Sequence, residues 1–357
     1  MKDKVKWLIY FLLFIFVIFV IPALCTRKTM QTMTNANNDE ISDNNEKNKK
    51  YNYSKYGTIK LYHTKSDTVE TLPIDEYLYG VVSAEMPANY EEEALKAQAV
   101  VARTYTIYQI SNSGGKHKSK GADMCDNSGC CQAWISKEDR LNKWSEDKKE
   151  EYWNKIVEAV DSTAGKIVTY NGEAIDAFFH SNSGGETETV SSVWGGKDLP
   201  YLKSVETSGE SDYAQYSSEV KITKDDFIKK MKEEYNDIKI DFEKDDAIKI
   251  LEYTGSGRVK TIKVGNVEIA GTKMRSLLGL RSTNFSVKID GDDIVFSVIG
   301  YGHGVGMSQT GADSLAKQGY SYEDIIKHFY SGVEITSLWL FYQIILLKNK
   351  LNKIIIL

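Results

Sequence analysis

The sequence predicts an α+β fold, in which mixed strands and helices form one large exported domain, built as one or two subdomains around a substrate cleft. Two observations lead to this prediction. Strand-like and helix-like segments follow one another in runs and do not alternate strictly, as they would in a doubly wound fold. About 280 residues with ample hydrophobic content follow residue 55, which is enough chain for one large domain or two packed ones.

The first 55 residues predict an anchor and a tether. Residues 7–24, WLIYFLLFIFVIFVIPAL, carry no charge, and three lysines precede them. An apolar stretch of this length crosses a bilayer as a helix, and the lysines favour a cytoplasmic N-terminus. We therefore expect residues 1–25 to form a cytoplasmic stub and a single transmembrane anchor in the cell membrane, with a cleaved signal peptide as the alternative. Residues 26–55 are rich in Asn, Lys and Thr, which predicts a flexible extracytoplasmic linker.

The folded domain is expected over residues 56–336. It opens with two strand patterns separated by the polar turn HTKSD at 63–67. Asp75 then predicts the N-cap of a short helix that ends near Tyr79. A second helix is predicted from Glu91 to Ile110, where an acidic first turn precedes an alanine-rich stretch.

From Gly165 the pattern changes to strands, with an Asn171-Gly172 hairpin signal between apolar runs. A polar helix is expected from Lys224 to Asn236, and more strands within 247–266 and 292–306. Two helices, SQTGADSLAKQG and SYEDIIKHFYSG, close the domain. A hydrophobic tail, residues 337–357, follows, and the sequence assigns it no role.

Charged side chains mark the first candidate site. The net charge of −5 argues against a nucleic-acid partner. Glu85 lies among small and apolar residues in GVVSAEMP, the setting that raises a carboxyl pKa. An ordinary exposed glutamate at a helix end is the alternative. Lys96 and Arg103 are seven residues apart on the second predicted helix, so they share one face and could line a cleft or be plain surface cations.

Two glycine-rich motifs, HSNSGG and GHGVGMSQ, each contain a histidine. Glycines permit close ligand approach, so His180 or His303 could be a general base or a metal ligand, although a structural hydrogen-bonding role is common. Trp194, Tyr201 and Tyr301 could stack on sugars or pack in the core.

Three of the four cysteines lie in CDNSGCC, residues 125–131. Outside the membrane a disulfide is permitted, but three thiols leave one unpaired. A nucleophilic cysteine needs an adjacent base. Zinc is the third alternative, with His117, Cys125 and Cys131 as ligands and water as the fourth. Adjacent side chains are expected to point apart, so Cys130 is only a substitute ligand.

Four motifs together resemble the stage II sporulation protein D family, and the likeness runs from residue 56 to about 336. They are AEMPANYEEEALKAQAVVARTY, CQAW, FFHSNSGGETETVSSVWGGKDLPYLKSVE and GHGVGMSQTGADSLAKQGYSYEDIIKHFYSGVEI. The resemblance implies a membrane-anchored peptidoglycan lytic transglycosylase that acts in forespore engulfment. The implied partners are glycan strands stripped of stem peptides, the amidase named stage II sporulation protein P, and other engulfment proteins at the cytoplasmic membrane.

The resemblance also implies roles for single residues. Glu85 would be the one catalytic acid/base, because closure of a 1,6-anhydro ring needs no second carboxylate. The other assigned residues bind glycan or line the cleft: Lys96, Arg103, Tyr201, Lys203, His180, Ser181, His303 and Gln309.

Similarity to clostridial members favours zinc for the sulfur cluster, in a cleft-shaping role, since the reaction consumes no water. Two other functions stay open: a non-catalytic glycan-binding enhancer of an amidase, and a zinc hydrolase that uses His303 or His180.

Overall fold

The computed structural model describes residues 56–338, which contain fourteen strands, nine α-helices and two short 3-10 helices. The strands β1 to β14 are Thr58–His63, Thr68–Pro73, Met124–Cys125, Lys166–Tyr170, Glu173–Ala174, Phe179–His180, Ser217–Thr223, Ile248–Tyr253, Val259–Val264, Val267–Ala270, Asn284–Asp290, Asp293–Ile299, Met307–Ser308 and Glu334–Ser337. The helices α1 to α9 are Ile74–Glu85, Glu92–Ser113, Lys137–Leu141, Lys149–Ser162, Val190–Trp194, Lys224–Glu234, Gly271–Leu278, Gln309–Lys317 and Tyr322–Phe329. The α+β class is confirmed.

The predicted anchor and linker, and the tail beyond Leu338, lie outside the described residues. Between residues 56 and 338 no helix has the length and apolar character that a membrane crossing requires. Leu338 itself is buried in the main core, directly after β14.

Helix α2 is the centre of the main core. Its side chains are buried on nearly every face, and α1, α4, α8, α9 and β4 pack around it. Alanines such as Ala97, Ala99 and Ala102 let these neighbours approach closely. The helix ends where Gly114 takes a left-handed conformation with φ of 71°. This central helix therefore fixes the relative positions of α1 and α8, which carry the candidate acid and its partner.

A second lobe, formed by residues 217–299, has its own hydrophobic core. The three-stranded sheet β11-β12-β7 and the three-stranded sheet β10-β9-β8 enclose apolar side chains together with α6 and α7. Phe227, Met274 and Phe296 lie in this core. The lobe is inserted between α5 and α8, so the chain leaves the main core after the first glycine-rich motif and re-enters it at the second.

The first helix differs from its prediction. Asp75 is not an N-cap but the second residue of α1, which begins at Ile74 after Pro73 and continues through Glu85. The apolar face extends past Tyr79 to Val81 and Val82, and burial of that face stabilises the additional turns.

The Asn171-Gly172 hairpin is confirmed. It joins β4 to β5, and both residues have positive φ, 51° and 72°. Such a pair matches the twist of two-residue hairpin turns. The predicted polar helix at Lys224 is likewise present as α6.

Candidate active site and sulfur cluster

Glu85 is the last residue of α1, held where the chain turns into Met86-Pro87. Its carboxyl group is half-buried, and Oε1 accepts a hydrogen bond of 2.6 Å from the backbone N–H of Ala133. The Gln309 carboxamide donates to Oε2 at 3.3 Å. Burial raises the pKa of Glu85, and the hydrogen bonds from Ala133 and Gln309 oppose this rise only in part. The group therefore retains its proton to a higher pH than an exposed glutamate does.

The amide beside this acid has a further neighbour on α2. Gln309 Nε2 lies 3.5 Å from Oε1 of Gln98. Gln98 is fully buried, and its Nε2 finds no hydrogen-bond partner among residues 56–338. A buried donor of this kind costs free energy unless a ligand or water satisfies it. Gln98 is thus a candidate contact for a bound substrate, and no sequence motif pointed to it.

Parallel pairing of β6 with β13 joins the two glycine-rich motifs. Phe179 pairs with Met307 and His180 pairs with Ser308, directly before Gln309. The backbone of Ser181 accepts a hydrogen bond of 3.0 Å from Thr310 N–H. The two motifs, which lie more than a hundred residues apart in the sequence, therefore form a single framework under the Glu85–Gln309 pair.

Glu210 stabilises this framework and was missed in the sequence. It is 1% exposed, and its carboxylate accepts hydrogen bonds from both motifs. Burial alone would raise the pKa of Glu210, but the hydrogen bonds outweigh it and the pKa is lowered. The richness of both motifs in hydroxyl groups is a signal for a shared acceptor, but it does not single out this carboxylate. The donors are Ser183 Oγ and N–H, Gly185 N–H, Thr207 Oγ1, Ser308 Oγ and Thr310 Oγ1.

The sulfur cluster brings together His117, Cys125, Cys130 and Cys131, whose ligand atoms all lie within 4.8 Å of one another. Cys130 Sγ is 2.8 Å from Cys125 Sγ, 3.7 Å from Cys131 Sγ and 3.1 Å from His117 Nε2. The expectation that Cys130 and Cys131 point apart is wrong, because the turn through Asn127 folds both side chains to one side.

These four groups fit a tetrahedral metal ion. Two sulfur ligands of one zinc ion lie ~3.8 Å apart, which the 3.7 Å between Cys130 and Cys131 matches; the 2.8 Å between Cys125 and Cys130 is shorter, so a bound ion would move these two sulfurs about 1 Å apart. Cys125 is held by β3, which pairs with β1, while a short bridge from His117 to Ala122 places the imidazole. Burial, and then hydrogen bonding with Cys130, raises the pKa of Cys125 to about 11, which argues against a nucleophilic thiolate. The cluster can hold a metal ion.

The sulfur cluster is adjacent in the chain to the backbone N–H that binds the candidate acid. Cys131 is two residues before Ala133, whose N–H binds Glu85. Between them, buried Gln132 donates to the hydroxyl oxygens of Tyr77 and Thr106. A metal bound to Cys131 would therefore fix the backbone donor that contacts the candidate catalytic carboxyl group.

Arg103 does not reach a cleft in this structure. Its side chain is fully buried and donates to the backbone carbonyls of Thr163, Lys166 and Val160, and it lies 3.5 Å from Asp75. A guanidinium that caps the end of a packed helix is structural. Lys96, seven residues earlier on α2, is half-buried, so the two cations differ in exposure although helical spacing places them on one face.

Lys96 is engaged on its own helix. Its Nζ lies 2.6 Å from Glu92 and 2.9 Å from Glu93. Both partners are carboxylates in the first turn of α2, so the ammonium group is largely neutralised.

The remaining predicted residues are distributed around the framework. Tyr201 is 8% exposed, and its hydroxyl oxygen accepts a hydrogen bond from Asp176 N–H. Lys203 is exposed, and Ser181 is half-buried. His180 and His303 lie with ring centroids 5.6 Å apart.

Both histidines are neutral near pH 7. Burial, and then the nearby charge of Arg258, lower the pKa of His180 to about 3. Burial also holds the pKa of His303 well below its usual range. They are therefore weak bases. Within residues 56–338 neither belongs to the group of potential metal ligands, which gives the zinc-hydrolase alternative no support.

Comparison with known proteins identifies the family of the chain. The SpoIID family model, described as Stage II sporulation protein, matches residues 62–170. Stage II sporulation protein D of Bacillus subtilis is 37% identical over 280 residues, which cover 78% of this chain and 79% of that protein. The chain belongs to the stage II sporulation protein D family.

Two further relatives are another stage II sporulation protein D and an amidase enhancer. Stage II sporulation protein D of Bacillus amyloliquefaciens is 35% identical over 279 residues, 78% of each chain. The amidase enhancer of Bacillus subtilis is 28% identical over 308 residues, which cover 73% of this chain and 40% of that protein. Membership of the stage II sporulation protein D family makes the chain a sporulation protein. This membership is consistent with an enzyme that degrades the cell wall.

Proposed function

We propose that this protein is a peptidoglycan lytic transglycosylase that cleaves the bond between N-acetylmuramic acid and N-acetylglucosamine. The observation that carries the proposal is the state of Glu85, a half-buried carboxyl group with a raised pKa and two amide donors. Membership of the stage II sporulation protein D family supports it. A carboxyl group whose pKa is raised keeps its proton to a higher pH than an exposed glutamate does, so it is better suited to protonate a leaving oxygen.

The reaction needs only this one carboxyl group. Glu85 gives its proton to the glycosidic oxygen as the bond to muramyl C1 breaks. The C6 hydroxyl of the same muramyl ring then attacks C1, and its proton passes to Glu85. This restores the acid and leaves a 1,6-anhydro ring without consuming water. Ala133 N–H and Gln309 hold the carboxyl group in place and stabilise its charged form between the two proton transfers.

We propose zinc as the metal of the sulfur cluster. His117, Cys125 and Cys131 would hold it with Cys130, whose sulfur lies nearest to the other ligand atoms. Zinc bound by four protein ligands acts as a rigid structural crosslink. Within this chain, the consequence is a fixed position for Cys131 and so for Ala133 N–H.

The zinc proposal predicts that purified full-length protein contains one zinc ion per chain. Chelation is expected to lower the melting temperature and to reduce lytic activity together, and added zinc should restore both. Cys125→Ser is expected to lose the metal, whereas Lys118→Ala, a change at an exposed neighbour, should keep it. Full thermal stability after complete metal removal would contradict the structural role.

A non-catalytic role as an amidase enhancer is the second candidate, and the similarity to the Bacillus subtilis amidase enhancer favours it. In that case Glu85 would contribute to glycan binding alone. For either function, we propose that residues 7–24 anchor the chain in the cell membrane with the domain outside. The expected partners remain denuded glycan strands, the amidase stage II sporulation protein P and membrane engulfment proteins.

Product analysis tests the reaction. The full-length protein is incubated with glycan strands freed of stem peptides, and the products are identified by mass spectrometry. We expect chains that end in 1,6-anhydro-N-acetylmuramic acid, which are about 18 Da lighter than hydrolysis products because no water is added. Binding without cleavage supports the enhancer, and reducing-end products indicate a hydrolase.

A further inference from the structure

The second lobe places arginines beside the glycine-rich loop 300–306 without neutralising them. Arg258 is 1% exposed, and its guanidinium donates to the Ser183 carbonyl under Gly304. Arg275 is half-buried, and Arg281 is exposed. None of the three forms an ion pair with a residue in the described part of the chain. Arg258 is buried without an ion pair, and its Nε and Nη1 find no hydrogen-bond partner among residues 56–338, so this part of the lobe carries a positive charge that a nearby anion would stabilise.

Arg281 and Tyr301 form the accessible part of this surface. The guanidinium lies over the Tyr301 ring at 5.2 Å from its centroid, and the Arg281 carbonyl accepts a hydrogen bond of 2.9 Å from Gly302 N–H. Tyr301 is 44% exposed. A guanidinium that stacks on a ring keeps its N–H edge free, and this edge matches the two oxygens of a carboxylate.

The neighbouring carboxylates are already engaged elsewhere. Glu186 accepts from Ser204 Oγ, and Glu188 accepts from Ser256 Oγ. Glu210 is saturated by hydroxyl and amide donors. These three carboxylates moderate the charge of the buried Arg258. They leave the N–H edge of the Arg281 guanidinium without a partner in the described part of the chain.

Backbone pairing connects the segment that carries Tyr301 to the segment that carries Gln309. Tyr301 exchanges two backbone hydrogen bonds with Asn182, and His180, two residues earlier, pairs with Ser308 beside Gln309. Two residues of extended chain span about 7 Å. One framework therefore carries both Tyr301 and the Gln309 side chain that contacts Glu85.

We propose that Arg281 and Tyr301, supported by Arg275, bind the free lactyl carboxylate of a muramyl residue, with the exposed tyrosine ring beside the sugar. This inference rests on the proposed function and deepens it. Muramyl residues of denuded glycan carry this carboxylate, whereas an attached stem peptide converts it into an uncharged amide. The subsite thus explains selection of denuded strands by charge.

Binding to a full-length Glu85→Gln variant tests this subsite, because the ligand is then not consumed. The probes are a GlcNAc–MurNAc tetrasaccharide with free lactyl carboxylates, the same tetrasaccharide as its methylamide, and chitotetraose, which has no lactyl group. Isothermal titration calorimetry gives the dissociation constants. We expect the free acid to bind about tenfold tighter than the other two, the range of one charge-assisted hydrogen bond.

A second substitution, at Arg281, tests whether this residue causes the preference for the free carboxylate. Adding Arg281→Gln should weaken binding of the free acid about tenfold and leave binding of the methylamide unchanged. Arg281→Lys should recover part of the loss, because it keeps the charge without the paired donors. Lys288→Gln, on the same lobe and paired with Asp290, is the matched control and should bind like the parent.

Equal affinity for the acid and its amide, or an equal loss of both with Arg281→Gln, would overturn the subsite. Failure of the proposed reaction is distinguishable. Carboxylate-dependent binding without 1,6-anhydro products would reject the lytic activity and keep the subsite, and products without carboxylate preference would do the reverse.

Discussion

Glu85→Gln is expected to reduce the rate of 1,6-anhydro product formation by about a thousandfold, within the usual range for removal of a general acid/base. Glutamine keeps the shape and one hydrogen-bond acceptor for Ala133 N–H but has no proton to transfer. The measurement is the initial rate of product release from denuded glycan by mass spectrometry. Glu91→Gln, an exposed glutamate six residues later, is the control and should retain the parent rate.

The pH dependence of this variant separates chemistry from misfolding. The folded-state pKa of Glu85 is raised, so the protonated form stabilises the fold at low pH and this contribution is lost as pH rises through the folded-state pKa. The neutral glutamine avoids that loss. We therefore expect Glu85→Gln to melt at the same temperature as the parent protein or higher at pH 7. The parent's activity should fall as pH rises through the same pKa. A large decrease in melting temperature would show that lost activity reflects a damaged fold.

Glu210→Gln is expected to lower the free energy of unfolding by about 3 kcal/mol or more, because a buried acceptor is replaced by a group that brings its own donors. The six donors around the carboxylate come from both glycine-rich motifs and from Thr207. A carboxamide can satisfy only part of them. Chemical denaturation of the parent, the variant and the exposed-site control Glu206→Gln provides the measurement.

The pH profile of the Glu210 effect has a defined sign. The folded-state pKa is lowered, so the stabilisation is fully present above the unfolded-state pKa of about 4.3 and is lost as pH falls through the folded-state pKa. The stability difference between the parent and Glu210→Gln should therefore be constant at neutral pH and shrink in acid. A difference that does not change between pH 7 and pH 2 would contradict a role for the ionised carboxylate.

Local sequence signals predicted five of the nine α-helices, whereas α4, which packs against α2, was not predicted. The Asn171-Gly172 turn, the polar helix α6 and the two closing helices each depend on residues within one short segment. The end of α1 does not depend on one short segment, because the burial of Val81 and Val82 against other helices extends α1 beyond its predicted last residue, Tyr79. Likewise, the boundary of the second lobe is visible only from its separate core.

The candidate site divides in the same way. Glu85, Gln309 and the sulfur cluster were found because motifs of unusual residue types mark them, and the structure brings Gln309 to Glu85 and His117 to the cysteines. Arg103 was assigned to the cleft from its helical spacing with Lys96 and from the family resemblance. Helical spacing predicts which side chains share a face, but it does not predict which neighbours bury them.

The sequence by itself determined the α+β class and the family resemblance, and through that resemblance it named Glu85 as the candidate acid, since composition, short motifs and helix periodicity are local properties. The tertiary structure decided which side chains meet. Burial raises the pKa of Glu85 and encloses Arg103 among backbone carbonyls, and the fold of the chain brings Cys130 to the other three candidate metal ligands. The tertiary structure also places six hydrogen-bond donors around the Glu210 carboxylate. These outcomes depend on contacts between residues far apart in the chain, and the free energy of burying a charged group is set by all of its neighbours together.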